Sequence, residues 1–207
     1  MYWKDEGFLL SKNNFNENSI IIEVFTLNHG KYSGIVYGGS SRKHKKNFQI
    51  GNRILLNWIS KGHNKNGYLK VELIKPISPY FFDSKKKIAC ILSSSSILKI
   101  LLPDRQINKS IFHSYEIMLN NLYSPDWIIK YILWELDLIK NLGYEVNFLE
   151  KSLKVPNFFL KQKNSDHTNK DIKEALIFNK NLLLNNFITP NKLQFPLFRN
   201  ILEKYYN

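Results

Sequence analysis

Tyr68-Leu69-Lys70-Val71-Glu72-Leu73-Ile74 alternates without a break up to Lys75-Pro76. Successive strand side chains point to opposite faces, so Leu69, Val71 and Leu73 share one face while Lys70 and Glu72 share the other. Such a period marks a half-buried strand. Working outward, Gly62 to Gly67 is a polar loop, and Ile54-Leu55-Leu56-Asn57-Trp58-Ile59 before it is another strand, with Ile54, Leu56 and Trp58 on the core side. Further upstream, Ile20-Ile21-Ile22-Glu23-Val24-Phe25 is β-branched, Asn28-His29-Gly30 is a turn, and Tyr32 to Tyr37 resumes the strand pattern, which predicts a hairpin. Phe8-Leu9-Leu10 completes a set of five strands. Five short strands are too few for a two-sheet sandwich. They suit a small closed barrel of the OB type, a fold that binds oligonucleotides through its sheet face and loops. An SH3-like barrel is the other architecture the pattern allows. Gly34, Gly38 and Gly39 permit the strand coiling a five-stranded barrel needs.

From Lys87 the period changes to that of helices. Ile88, Ile91, Leu92, Ile97, Leu98, Leu101 and Leu102 recur at helical spacing up to Pro103, interrupted by Ser93 to Ser96. Ile111, Phe112, Tyr115, Met118, Leu119 and Leu122 form a second apolar stripe. Ser124-Pro125-Asp126 reads as a helix start, with Ser as N-cap and Pro at the first helical position, and Gly143 as its stop. That helix is apolar on most sides, which makes it the core of the second half. Lys170 to Phe187 and Pro196 to about Tyr205 are the last two helices. The expected class is α+β, with a barrel over residues 1–78 and an all-helical domain over 79–207, the boundary falling near Pro76-Ile77-Ser78-Pro79.

The charge sorts along this division. The 207 residues carry 30 Lys plus Arg against 17 Asp plus Glu, a net charge of +13. From Lys31 to Lys75 there are ten bases and one acid, Glu72. Such a field suits a polyanionic partner. One cysteine, Cys90, excludes an intramolecular disulfide and any Cys₄ or Cys₂His₂ zinc site, and fits a reducing cytoplasm. The start, Met1 to Leu10, has no apolar h-region, and no apolar run approaches a bilayer span, so neither secretion nor a membrane is expected. There is no Walker A motif, Gly-x-Ser-x-Gly, His-Glu-x-x-His or carboxylate cluster for two-metal chemistry, which argues against an enzyme.

Trp3-Lys4-Asp5-Glu6-Gly7-Phe8-Leu9-Leu10 resembles the opening W-x-D-E-G-I-V-L of the RecO family of DNA repair proteins. The likeness continues through Glu17-Asn18-Ser19, Thr26-x-x-His29-Gly30, Gly34-x-Val36-x-Gly38-Gly39-x-Ser41-Arg42, Gln49-x-Gly51-Asn52 and Trp58. It resumes at Leu102-Pro103-Asp104-Arg105-Gln106. The stretch from Phe178 to Pro190, with Leu193-x-x-Pro196-x-x-Arg199, is similar to the C-terminal helices of alphaproteobacterial members. The resemblance implies an N-terminal OB-fold, a helical C-terminal domain and a non-enzymatic role. That role is to bind single- and double-stranded DNA, anneal complementary strands and help RecA replace single-strand-binding protein in the RecF pathway. The implied partners are RecR and the acidic C-terminal tail of single-strand-binding protein. Many relatives carry a four-cysteine zinc site after the central helix. Gly143 to Asn169 contains no cysteine, which resembles a zinc-less branch. The stretch is expected to hold by packing of Phe148, Leu153, Phe158 and Phe159, with no metal and no cofactor.

The candidate DNA-binding residues are Lys31, Arg42, Lys43, Lys45, Lys46, Arg53 and Lys61. Arg42 to Lys46 follow two glycines and two serines that let the backbone approach phosphates. Lys31, Arg53 and Lys61 lie at strand ends and would extend the track. Tyr37 is the candidate for stacking on bases, while strand parity assigns Trp58 to the core and His29 to shaping its turn. Arg105 is expected to brace a helix junction or to contact an acidic partner peptide. An RNA-binding OB module of the translation apparatus is the other reading that charge and strand pattern leave open.

Overall fold

The computed structural model describes residues 1–41, 47–60, 67–148, 154–160 and 167–206. Five strands close into one barrel: β1 (Tyr2–Asn14), β2 (Ser19–Thr26), β3 (Gly30–Tyr37), β4 (Arg53–Ile59) and β5 (Gly67–Lys75), in the order β1-β2-β3-β5-β4. This is the OB-type barrel the alternation predicts. β1 is longer than Phe8-Leu9-Leu10 because it serves two neighbours: Tyr2 to Phe8 pair with β4, and Gly7 to Asn14 pair with β2. A bulge between Leu9 and Ser11 accompanies the change of partner. Its outer residues are polar, so local patterning gave no sign of them.

The interior is filled by Leu9, Ile20, Ile22, Val24, Val36, Phe48, Ile54, Leu56, Trp58 and Leu69. Trp58 is 3% exposed, the core position its parity requires. The barrel closes where β3 and β5 run parallel, through the pairs Gly34–Gly67 and Ile35–Tyr68. A Cβ on Gly34 would stand 2.7 Å from Leu69 Cγ and 2.9 Å from the Gly67 carbonyl oxygen. Only glycine lets the two backbones approach this closely.

The hairpin turn is held from inside by Asp5. This buried carboxylate accepts from the Asn28 amide at 2.8 Å, the Asn28 side chain at 3.0 Å and the Glu6 amide at 2.9 Å, and lies 2.8 Å from His29 Nδ1. The His29 ring stacks on Trp3 at 4.0 Å and 7°. Burial raises the Asp5 pKa; the hydrogen bonds from His29, Asn28 and Glu6 together outweigh it and hold the carboxyl below its ordinary value. A depressed native pKa contributes stability above the unfolded value, and this is lost as pH falls through the native one. Asp5→Asn is therefore expected to destabilise the chain at neutral pH and to lose that deficit on acidification through the depressed native pKa. Denaturant unfolding at neutral pH and below that pKa checks this; an equal gap at both would show that the carboxylate charge is irrelevant.

After a 3₁₀ turn at Ser78–Phe81 comes helix α1 (Lys85–Leu101), capped by Ser84, whose side chain accepts from the Lys87 amide. The serines that interrupt its pattern do not break it. Ser93, Ser94 and Ser95 are fully buried, Ser94 Oγ donates to the Cys90 carbonyl at 2.9 Å, and Ser96 Oγ donates to Leu92 at 2.6 Å. Bonding to the preceding turn satisfies each of these two hydroxyls within the helix. Lys99 of α1 pairs with Glu23 of β2 at 2.8 Å. The chain accordingly divides into two compact units, Met1–Phe112 and His113–Asn207. The last strand ends at Lys75, packing groups α1 with the barrel, and the units divide within helix α2 (Lys109–Asn121).

The second unit contains the rest of α2, then α3 (Trp127–Asn141), a short α4 (Asn157–Leu160), α5 (Asn169–Leu183) with a π-helical turn at Leu184–Ile188, and α6 (Leu197–Lys204). α3 begins at Trp127 with Asp126 as N-cap, so Ser124 does not cap it. Ser124 Oγ instead donates back to the Asn121 carbonyl at 2.7 Å, which makes Ser-Pro-Asp the turn before the helix. Thr168 and Asp171 form a reciprocal capping box at the start of α5.

Three helices of this unit meet on a buried charge. Arg199 of α6 and Glu135 of α3 are both fully buried, paired through Nε–Oε1 at 2.5 Å and Nη2–Oε2 at 3.1 Å. Tyr131 Oη donates to Glu135 at 2.5 Å, and Arg199 Nη2 also donates to the Leu176 carbonyl of α5 at 2.6 Å. Burial lowers the Arg199 pKa, but the Glu135 carboxylate, with Tyr131 and Glu203, more than offsets this and holds it above its ordinary value. Where a zinc site was expected to be missing, Phe148, Phe158, Phe159 and Phe178 cluster, with Phe159 5.8 Å from Phe148 and 5.4 Å from Phe178. Leu153 lies outside the described residues, among which no helix is long and apolar enough to cross a membrane.

Candidate nucleic-acid interface

Of the seven predicted cations, Arg42, Lys43, Lys45, Lys46 and Lys61 lie outside the described residues. The other two are engaged with the protein itself. Lys31 is 8% exposed; its ammonium donates to the Lys99 carbonyl at 2.6 Å and lies 3.3 Å from Asp104. The first residues of β3 run beside the Asp104–Arg105 corner, where the Arg105 amide donates to the Lys31 carbonyl at 2.9 Å. Lys31 therefore braces the barrel against the end of α1 instead of extending an outward track. Arg53, at the start of β4, gives Nη2 to Glu6 Oε1 of the paired strand at 2.8 Å. Its charge is compensated across the sheet.

Arg105 is exposed, with φ at 62°. Its guanidinium lies 5.4 Å from the centroid of Tyr32, which meets Trp3 and Trp58 edge-on. It lies in the segment between α1 and α2, with its guanidinium over Tyr32 of β3.

Tyr37 is 66% exposed and stacks on Tyr68 at 5.2 Å and 21°. A hydrogen bond to Tyr68 raises its phenol above the ordinary value. The two rings come together because β3 and β5 pair in parallel, which sets Ile35 beside Tyr68. In sequence, the basic segment 42–46 follows Tyr37 and the segment 61–66 precedes Tyr68. Tyr68 was not a candidate from sequence. Its outward parity was readable from Lys70 and Glu72; the parallel closure that makes it the neighbour of Tyr37 was not.

Tyr37 and Tyr68 are thus exposed rings on an OB-type barrel, next in sequence to basic segments; rings can stack on bases and cations can meet phosphates. Comparison with known proteins points the same way. The model for "Recombination protein O N terminal" matches residues 1–77, and that for "Recombination protein O C terminal" matches residues 84–164. The chain is 34% identical over 145 residues to the DNA repair protein RecO of Ruegeria sp. (strain TM1040), covering 70% of this chain and 60% of that protein. It is 37% identical over 144 residues to the DNA repair protein RecO of Rickettsia canadensis (strain McKiel), covering 70% and 59%. The matched part thus spans about 60% of the length of these relatives.

Proposed function

This chain belongs to the recombination protein O family of DNA repair proteins, and on that premise we propose that it is a non-catalytic mediator that binds single- and double-stranded DNA and anneals complementary strands. Annealing needs no catalytic group. It requires neutralisation of two like-charged strands and binding loose enough to leave bases free to pair. The observation that carries the reading is the run of ten bases against one acid from Lys31 to Lys75, on an OB-type barrel. With Lys31 and Arg53 engaged within the protein, the phosphate contacts proposed are Arg42, Lys43, Lys45, Lys46 and Lys61. The proposal extends to helping load RecA onto DNA coated by single-strand-binding protein, in the cytoplasm. The proposed partners are RecR and the acidic tail of single-strand-binding protein, with Arg105 a contact for an acidic peptide.

Salt titration tests the core of this reading. Neutralising about five phosphates predicts that log K for single strands falls with log[salt] at a slope of roughly −3.5. Annealing should persist in EDTA, since no step uses a metal. A flat salt dependence, or annealing abolished by chelation, would sink the proposal.

A further inference from the structure

The outer faces of β1, β4 and β5 are ordered in rows. Register places Tyr2, Ile59 and Tyr68 side by side, then Lys4, Asn57 and Lys70, then Glu6, Leu55 and Glu72. Rows of this kind lie about 6.6 Å apart, two residues along a strand. Tyr37 extends the first row across the barrel's closing pair by stacking on Tyr68. The rings are open: Tyr2 and Tyr37 are each 66% exposed and Tyr68 is 40% exposed. Tyr2 is oriented by its hydroxyl, which donates to Asn57 Oδ1 at 3.2 Å. Lys4 and Lys70 are exposed and make no ion pair among the described residues. Elsewhere the outer surface is covered within the same unit: Phe8 and Phe25 are buried against Phe112, and Glu23 is held by Lys99.

We infer that this face is a platform for single-stranded DNA, with unpaired bases stacking on Tyr2, Tyr68 and Tyr37 and the phosphodiester running past Lys4 and Lys70. The inference rests on the reading of the chain as a DNA-binding protein and adds residues other than Arg42 to Lys46. Rings one step from cations match the chemistry of a single strand, whose apolar base faces and anionic phosphates alternate at short range. Glu72 gives the third row an exposed negative charge, which keeps phosphates on the lysine side. A duplex hides its base faces and offers this row nothing to stack.

The test compares a thymidine oligonucleotide with an abasic phosphodiester of equal length, bound to the full chain. The wild type should prefer the thymidine strand. Tyr2→Ala/Tyr37→Ala/Tyr68→Ala should lose at least about a hundredfold on thymidine if each ring stacks one base, with little change on the abasic strand. The corresponding triple phenylalanine variant should bind as the wild type does, because stacking uses the ring and not the hydroxyl. Lys4→Gln/Lys70→Gln should weaken both ligands alike. A wild type that binds both strands in a salt-dependent way without preferring thymidine overturns the platform while leaving DNA binding intact. A wild type that binds neither overturns both. Loss of an acidic peptide, and not of thymidine, in the alanine variant makes this a peptide site and ends the proposal.

Discussion

Glu135→Ala or Arg199→Ala, made singly, is expected to cost about 3–5 kcal/mol, because each leaves the opposite charge buried without its partner. Both side chains are fully buried, and they join α3 to α6 with the Leu176 carbonyl of α5 as a further acceptor. Removing Arg199 leaves the Glu135 carboxylate with only the neutral donors Tyr131 and Asn179; removing Glu135 leaves the guanidinium with Glu203 at 3.6 Å and the Leu176 carbonyl, and frees the Tyr131 hydroxyl. The paired replacement Glu135→Leu/Arg199→Met should be far milder than either single change. Desolvating two ions offsets most of what their attraction returns, so an apolar pair of similar volume is often neutral or stabilising. Denaturant unfolding of the wild type, the two single variants and the paired replacement checks this ordering. Single variants costing under about 1 kcal/mol would mean that water reaches the pair.

Arg42→Ala/Lys43→Ala/Lys45→Ala/Lys46→Ala is expected to lower affinity for single-stranded DNA several hundredfold near 0.1 M salt. Each phosphate contact contributes about 0.7 to the salt slope, so four contacts are worth roughly 2.8 logarithmic units between 0.1 M and 1 M. The slope should become shallower by the same amount. No apolar residue lies between Gly38 and Lys46 to anchor the segment in a core. Thermal stability should therefore change little, exposed substitutions usually costing about 0.5 kcal/mol or less each. The control for net charge is Lys161→Ala/Lys163→Ala/Lys170→Ala/Lys173→Ala. Equal weakening of annealing by both variants would mean that a diffuse field, and not this segment, holds DNA.

Much of the fold was legible in the sequence, for reasons that can be located. Leu69, Val71 and Leu73 announce β5 because one of its faces is buried and the other open. Trp58 shares parity with Ile54 and Leu56, and parity alone sends it inward. β1 was only partly visible, since Tyr2 to Glu6 pair through the backbone while carrying polar outer side chains. The site divides in the same way. Composition identifies cations but not their engagements: Lys31 looks like its neighbours in sequence, and only the fold brings the Lys99 carbonyl to its ammonium. Tyr68 escaped notice because a parallel pairing between β3 and β5 leaves no trace in either strand alone. Arg199 was part of a recognised C-terminal pattern, but its partner Glu135 sits on a helix read as apolar on most sides.

Among the described residues the barrel's closing pairs are Gly34–Gly67 and Ile35–Tyr68, the one parallel junction they show, whereas the other strand pairs are antiparallel. Parallel pairing is slightly less stable per residue than antiparallel pairing, so this junction is the cylinder's preferred line of opening. Local fluctuations cost least where the pairing is weakest. The stacked rings of Tyr37 and Tyr68 straddle that line, one on each strand. Neighbouring bases of one strand, one on each ring, would bind the closed barrel better than the open one, and so would work as a clasp on their own scaffold. On the platform proposed above, occupancy of the surface and rigidity of the fold would rise and fall together, leaving the barrel stiffest with a strand bound and slackest without one.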